Sequence, residues 1–288
     1  MLPVQKPRAA VKKIPIMPKS NILQKIIAYK KIEIENARQR VSESELLEIA
    51  GNMPHPRSLS GALRGKQHLS VIAEIKKASP SAGVLRENFD HHKIAASYQM
   101  HGADALSVLT DEKFFQGHLD FIRDLHPTTH VPMLRKDFLI DRYQICEARA
   151  AGADAVLLIV AALTPPQLGQ MLRASSDCGM DALVEVHTLA EAQIAMQAGA
   201  EVIGINNRNL ETFEIDLSTT EQIAAQIPSG KIIVAESGMT KADDLVRMQN
   251  AGADAVLIGS HFMREPDPGA VLASLLGDMQ RQAKYVRQ

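Results

Sequence analysis

The stretch His101-Gly-Ala-Asp104-Ala-Leu-Ser-Val-Leu returns three times along the chain. It recurs as Ala151-Gly-Ala-Asp154-Ala-Val-Leu-Leu-Ile, as Ala198-Gly-Ala-Glu201-Val-Ile-Gly-Ile and as Ala251-Gly-Ala-Asp254-Ala-Val-Leu-Ile-Gly. The glycines stand at 102, 152, 199 and 252, a period of about fifty residues that marks a repeat architecture. Each copy reads as the end of a helix, a glycine at positive φ, and the entry to a strand buried on both faces.

Working outward, the intervening sequence supplies further strands. Apolar runs bounded by turn residues predict strands over Val71–Lys76, Ala105–Thr110, Val131–Lys136, Ala155–Val160, Ala182–Val186, Val202–Asn206, Lys231–Glu236 and Ala255–Gly259. Helical stretches follow them, such as Leu189–Gln197 and Ala242–Asn250. Eight βα units predict a closed (β/α)8 TIM barrel of about 250 residues. An open doubly wound sheet would be expected to carry a Gly-rich nucleotide loop, and neither G-x-G-x-x-G nor G-x-x-x-x-G-K-[ST] occurs. The Gly-Ala-Asp/Glu copies fall at the entries to strands two, four, six and eight.

Helices precede the barrel. Ser20 is placed to cap a helix carrying Ile22, Leu23, Ile26 and Ile27 at helical spacing. Ser42-x-x-Glu45 is a capping box for a second helix, and a third covers Ser58 to Arg64. The expected division is a basic, flexible tail over 1–19 and one barrel domain over 20–288, including N-terminal helices to about residue 66. The tail has Lys and Arg without acidic partners and Pro at 3, 7, 15 and 18. It lacks the apolar core of a signal peptide, and its prolines oppose an amphipathic transit helix.

Composition narrows the function. A net charge of -1 predicts no general attraction to nucleic acid or to an anionic membrane. Trp is absent and aromatics make up 4%, which disfavours a base-stacking platform. No apolar run reaches the roughly 18 residues of a spanning helix. The two cysteines, Cys146 and Cys178, fit no metal motif or disulfide framework and are read as packing residues in a reducing, cytoplasmic compartment. The pairs His91-His92 and His126-x-x-x-His130 have loose metal-like spacing but no third ligand on a nearby strand end, so no metal site is expected.

In a barrel of this kind, reactive groups sit at the C-terminal strand ends. Those ends read Glu74-Ile-Lys76, Leu134-Arg-Lys136-Asp-Phe138, Glu185 between valines, Ile205-Asn206-Asn207-Arg208, Ala235-Glu236-Ser237-Gly238 and Ile258-Gly259-Ser260. A lone Lys or Glu there would be a rim residue; Glu236 would cap a helix and Lys136 would pair with Asp137. Convergence of so many on one mouth points to acid–base chemistry with tuned pKa values. Ser237-Gly238 and Gly259-Ser260, after strands seven and eight, stand where this fold cradles phosphate, and Ser79-Pro-Ser81-Ala82-Gly83 adds donors after strand one.

At this point the residues resemble a family. Ala73-Glu-Ile-Lys76-Lys-Ala-Ser79-Pro-Ser81 is similar to the strand-one signature of the indole-3-glycerol phosphate synthases. The likeness continues through Leu134 to Phe138, Leu183 to Val186, Ile205 to Phe213, Ala235 to Gly238 and Leu257 to Ser260. It implies a cofactor-free lyase that closes the indole ring of 1-(2-carboxyphenylamino)-1-deoxyribulose 5-phosphate in tryptophan biosynthesis. The resemblance makes Lys136 the general acid, Lys76 a binder of the anionic substrate and second donor, and Glu185 the general base. Glu74 aids loss of water, while Asn206 and Glu236 orient the substrate. Arg208 lies near its carboxylate and Phe115 and Phe138 contact its ring. Ser79, Ser237, Gly238, Gly259 and Ser260 take the phosphate end, with Leu210 and Leu257 as further substrate contacts. N-terminal helices in that family help cover the barrel mouth. The expected partner is a small phosphorylated substrate, with no nucleic acid or membrane, and the chain is expected to be a monomer, a weak homo-oligomer being the alternative. One departure stands out, because many members carry Lys where this loop has Ala82, which bears on loop closure. Two other readings are an isomerase of phosphoribosyl anthranilate and a non-catalytic barrel that binds a phosphorylated metabolite. Neither accounts for the paired Lys76 and Lys136.

Overall fold

The computed structural model describes residues 22–66 and 68–285. The expected tail and the Ser20 cap lie outside the described residues. The strands are β1 (Ser70–Ile75), β2 (Ala105–Leu109), β3 (Met133–Lys136), β4 (Ala155–Ile159), β5 (Asp181–Val186), β6 (Val202–Asn206), β7 (Ile232–Glu236) and β8 (Ala255–Ile258). They form one closed, wholly parallel barrel in which each pairs with its sequence neighbours and β8 returns to β1. A two-residue antiparallel ladder, Ala78–Ser79 with Gly83–Val84, shapes the loop after β1. β3 begins two residues later than its apolar run suggests. Pro132 has no N–H for the ladder, and only its carbonyl takes part, accepting from Leu106.

Alternation sorts the strand residues between two cores. Ile72, Leu134, Leu157, Leu183, Val234 and Leu257 fill the barrel interior. Val71, Leu106, Val156, Val184, Ile203 and Val256 face the surrounding helices. The N-terminal helices α1 (Ile22–Arg40), α2 (Glu43–Asn52) and α3 (Leu59–Leu63) divide between the two ends. Only α1 reaches the mouth. The Ser42–Glu45 capping box opens α2, which packs beside helix Arg142–Ala150. α3 closes the floor instead, burying Leu59 and Leu63 among the interior side chains. The family-derived expectation that these helices cover the mouth is thus corrected to α1 alone.

The repeated Gly-Ala-Asp line explains how the floor is held. Each glycine takes φ between 92 and 94°, as the helix-to-strand turn requires. The aspartate then ties its own strand to the one before. The Asp104 carboxylate accepts from Val71 N–H at 3.0 Å, Asp154 from Met133 at 2.8 Å, and Asp254 from Ile233 at 2.9 Å. In each case the aspartate N–H donates back to the same residue's carbonyl. Asp154 further accepts from the Arg57 N–H and guanidinium, anchoring the segment that leads into α3. In the third copy, Glu201 has a longer side chain that is 72% exposed and leaves the floor.

Asp154→Ala strands a buried N–H and the Arg57 guanidinium, so a loss of about 2–4 kcal/mol is expected. Glu201→Ala should stay within about 0.5 kcal/mol of wild type. Denaturant midpoints of the two variants check this, and equal effects would contradict it.

Candidate active site

Every residue anticipated for the site lines one cavity of about 670 Å³ at the C-terminal ends of the strands. These are Glu74, Lys76, Ser79, Phe115, Lys136, Phe138, Glu185, Asn206, Arg208, Leu210, Glu236, Ser237, Gly238, Leu257, Gly259 and Ser260. The odd strands carry its carboxylates and lysines. Lys136, at the end of β3, places Nζ 2.7 Å from Glu185 Oε2 of β5 and 3.0 Å from Glu236 Oε2 of β7. Lys136 therefore does not pair with its neighbour Asp137. Lys76, just past β1, pairs with Glu74. Asn206 of β6 donates to Glu185 Oε1 at 3.1 Å and accepts the Arg208 N–H at 3.0 Å, so it fixes both the base candidate and the next loop.

The even strands make room for these groups. A Cβ at Gly204 of β6 would lie 2.2 Å from Glu236 Oε1, and one at Gly259, just past β8, 2.3 Å from Glu74 Oε1. Any side chain at either position would displace a buried carboxylate. After β7 the backbone bends through Ser237 at φ 65° and Gly238 at φ 97°. A Cβ at Gly238 would also meet Ile215 at 2.5 Å. A non-glycine residue in the left-handed region is the kind of local strain that clusters at functional sites. Asn207 braces this bend, donating to the Ser237 carbonyl and accepting from Thr220.

The electrostatics follow from burial. Burial opposes charge on Lys136, but Glu185, Glu236 and Glu74 outweigh it and hold its pKa above the usual lysine value. Burial likewise opposes charge on Glu185, yet Lys136 and His187 keep its carboxyl below the usual range. Glu236 behaves differently: burial pushes it up to about 7 against the pull of Lys136, with Glu185 and Glu74 adding to the rise. Glu236 is thus poised between its two protonation states near neutrality. Its Oε1 has no hydrogen-bond partner.

A second layer of charge holds the mouth. Lys30 of α1 is 2% exposed and places Nζ 2.8 Å from Asp137 and 3.0 Å from Asp111. Asp111 caps the turn that presents Phe115, accepting from the Phe114 and Phe115 N–H groups. Asp137 also pairs with Arg135, which reaches on to Glu147. One lysine thus joins α1 to the loops carrying Phe115 and Lys136. It sits on the buried stripe Leu23-Ile26-Lys30-Ile34, a charged interruption that was legible in the sequence as a position needing buried partners. Ile22, Leu23 and Ile26 of α1 add apolar wall to the cavity, and Phe115 and Phe138 stand 5.9 Å apart on the side of β2 and β3. His261 and Arg264, past β8, also reach the wall and were not anticipated. Their sequence carries no distinguishing pattern.

Away from the mouth, His91 Nε2 lies 3.2 Å from Asp124, and with His92 these form a three-residue cluster. Sequence spacing showed no third ligand because Asp124 comes from a neighbouring helix. His126 contacts the Gly152 carbonyl. Cys146 is buried and Cys178 partly so. Among the described residues, no helix is long and apolar enough to cross a membrane.

Carboxylates and ammonium groups from alternate strands thus converge on one buried mouth of a (β/α)8 barrel. The indole-3-glycerol phosphate synthase family model matches residues 23–275. A protein of that description from Bordetella pertussis is 52% identical over 260 residues, covering 89% of this chain and 99% of that one. Another from Roseiflexus castenholzii is 46% identical over 264 residues, covering 89% and 98%. The chain belongs to the indole-3-glycerol phosphate synthase family and is, with it, a decarboxylating lyase of tryptophan biosynthesis. Among solved structures, 3-hexulose-6-phosphate synthase from Salmonella typhimurium superposes with a TM-score of 0.59 at 12% identity, covering 74% of this chain and 99% of that one. KGPDC from Streptococcus mutans gives 0.56 at 14%, covering 75% and 99%. These last likenesses concern the fold.

The raised pKa of Glu236 sets a sign for stability. A carboxyl whose pKa is higher folded than unfolded favours the fold most at low pH, and that contribution is lost as pH rises through its folded value of about 7. Glu236→Gln cannot ionise, so its stability relative to wild type should increase between about pH 5 and pH 8. Denaturant midpoints across that range check it; parallel profiles for the two proteins would contradict the assignment.

Proposed function

We propose that this chain converts 1-(2-carboxyphenylamino)-1-deoxyribulose 5-phosphate to indole-3-glycerol phosphate, carbon dioxide and water, with the roles assigned above to its mouth residues. The observation that carries the reading is the Lys136 ammonium held between Glu185 and Glu236. Ring closure requires a ring carbon to attack a ketone, and the ketone oxygen must gain a proton as the bond forms. A fully charged Lys136 is the donor. Carbon dioxide leaves because the ring regains aromaticity only by shedding the carboxylate. Dehydration then removes one proton, taken by Glu185, and delivers another to the departing hydroxyl from the Glu74–Lys76 pair. Lys136, Glu185 and Glu236 titrate as a set, so each role belongs to the cluster as much as to the residue.

The anthranilate ring packs by Phe115 and Phe138 under α1, while Asn206 and Glu236 hold the sugar carbons in place. Arg208 faces the substrate carboxylate, and Leu210 and Leu257 complete the wall. The phosphate lies by Ser79, Ser237, Gly238, Gly259 and Ser260, where small residues leave backbone N–H groups open to an anion. Arg264, also on the cavity wall, supplies positive charge that Ala82 does not.

Mixing the protein with this substrate should produce indole fluorescence. Lys136→Ala should lower kcat by about 10²- to 10⁴-fold, the usual scale for a lost acid or base. Near-wild-type turnover in that variant would remove Lys136 from the role.

A further inference from the structure

Outside the mouth, one group of side chains offers the atoms that a metal ion takes. His91 and His92 open helix His91–Met100, which follows β1, and Asp124 lies in helix Asp120–Leu125, which follows β2. Their imidazole nitrogens and carboxylate oxygen all lie within 4.8 Å of one another. His91 Nε2 stands 3.2 Å from Asp124 Oδ2, and the His91 and His92 ring centroids are 4.3 Å apart. None of the three lines the cavity.

The surroundings prepare these groups to hold a cation. The His91 ring is 16% exposed and stacks on Phe121 at 4.6 Å and on Phe89 at 6.5 Å. Little rotamer freedom therefore remains to be lost when its Nε2 takes a ligand. Asp124 pairs with no lysine or arginine among the described residues, because the neighbouring Lys93 is taken by Asp90 and Arg123 by Asp120. The start of a helix carries positive partial charge, which disfavours a cation. Here the N-cap Asp90 and the facing Asp124 offset it.

We propose that His91, His92 and Asp124 bind one divalent transition-metal ion of the zinc class, which ties the helix after β1 to the helix after β2. Tetrahedral Zn2+ bonds of about 2.0–2.1 Å set neighbouring ligand atoms about 3.3 Å apart. His91 and Asp124 already meet that spacing. His92 is exposed and closes the remaining distance by a turn of its side chain. Two imidazoles and one carboxylate leave the fourth position to water. The nitrogen ligands select the zinc class over Mg2+ and Ca2+, which take oxygen. The ion braces the outer layer of the first two βα units and takes no part in the chemistry of the mouth.

Equilibrium dialysis of the metal-stripped full chain against Zn2+ reads the site without substrate, so its outcome is independent of the assigned reaction. The wild type should bind a saturating equivalent that excess Mg2+ does not displace. His92→Ala and Asp124→Asn, both at exposed positions, should each weaken that binding at least about tenfold, since even groups behind a ligand change metal affinity about 10- to 100-fold. Zn2+ should also raise the thermal midpoint of the wild type more than that of either variant, because an ion bound only by the folded state stabilises it. Absence of saturable binding overturns the site. So does wild-type affinity in either variant, for the ion would then be held by other histidines of the chain.

Discussion

An ammonium group sealed inside a barrel persists only while carboxylates face it, and Lys136 imposes that condition on everything around it. Its partners must arrive from other strands, because its own neighbour Asp137 points outward to Lys30 and Arg135. That requirement places Glu185 on β5 and Glu236 on β7. Two carboxylates crowded onto one cation then need space, which Gly204 supplies beside Glu236. Burial and the neighbouring carboxylates together raise Glu236 to about 7. The consequence for chemistry is a mouth with a full donor, a full acceptor and one group poised between the two states.

The same logic works one layer out. Arg135 and Lys30 are buried cations on opposite sides of Asp137, and Asp137 is thereby held well ionised. Lys30 belongs to α1, so the helix over the mouth is fastened by charge as well as by Leu23 and Ile26. A buried pair adds little net stability against a well-packed apolar alternative, but it is intolerant of displacement. It therefore fixes where α1 sits relative to Phe115 and Lys136.

Much of this was legible in the residues. The Gly-Ala-Asp recurrence marked the even strands because one turn chemistry was being reused, apolar runs supplied the odd ones, and charged residues at the ends of apolar strands stood out against their neighbours. What was not legible depended on which atoms meet across strands. That Glu185 and Glu236 share Lys136 follows from barrel stagger and from side-chain length, neither of which a linear pattern encodes. Lys30 left a trace as a charge on an apolar stripe, but its partners lie 81 and 107 positions away in the chain. His187 carries no mark in the linear pattern, and its contacts to Glu185 and Glu191 emerge only in three dimensions. The N-terminal helices split between mouth and floor, Leu59 and Leu63 of α3 packing into the interior core while Ile22, Leu23 and Ile26 of α1 line the cavity.

The aspartate ties at the floor have a bearing on how the chain acquires its shape. They join residues 33, 21 and 21 positions apart, each within one pair of successive strands. Closing such short loops costs little chain entropy, so these three pairs carry their own local latch and can form early and separately. The pair β5–β6 has no such latch, since Glu201 points to solvent. Its floor is held instead by α3, where Asp181 accepts the Ser60 N–H at 2.8 Å across 121 positions of chain, so the strand bearing Glu185 is fastened by a distant contact and not by a local latch.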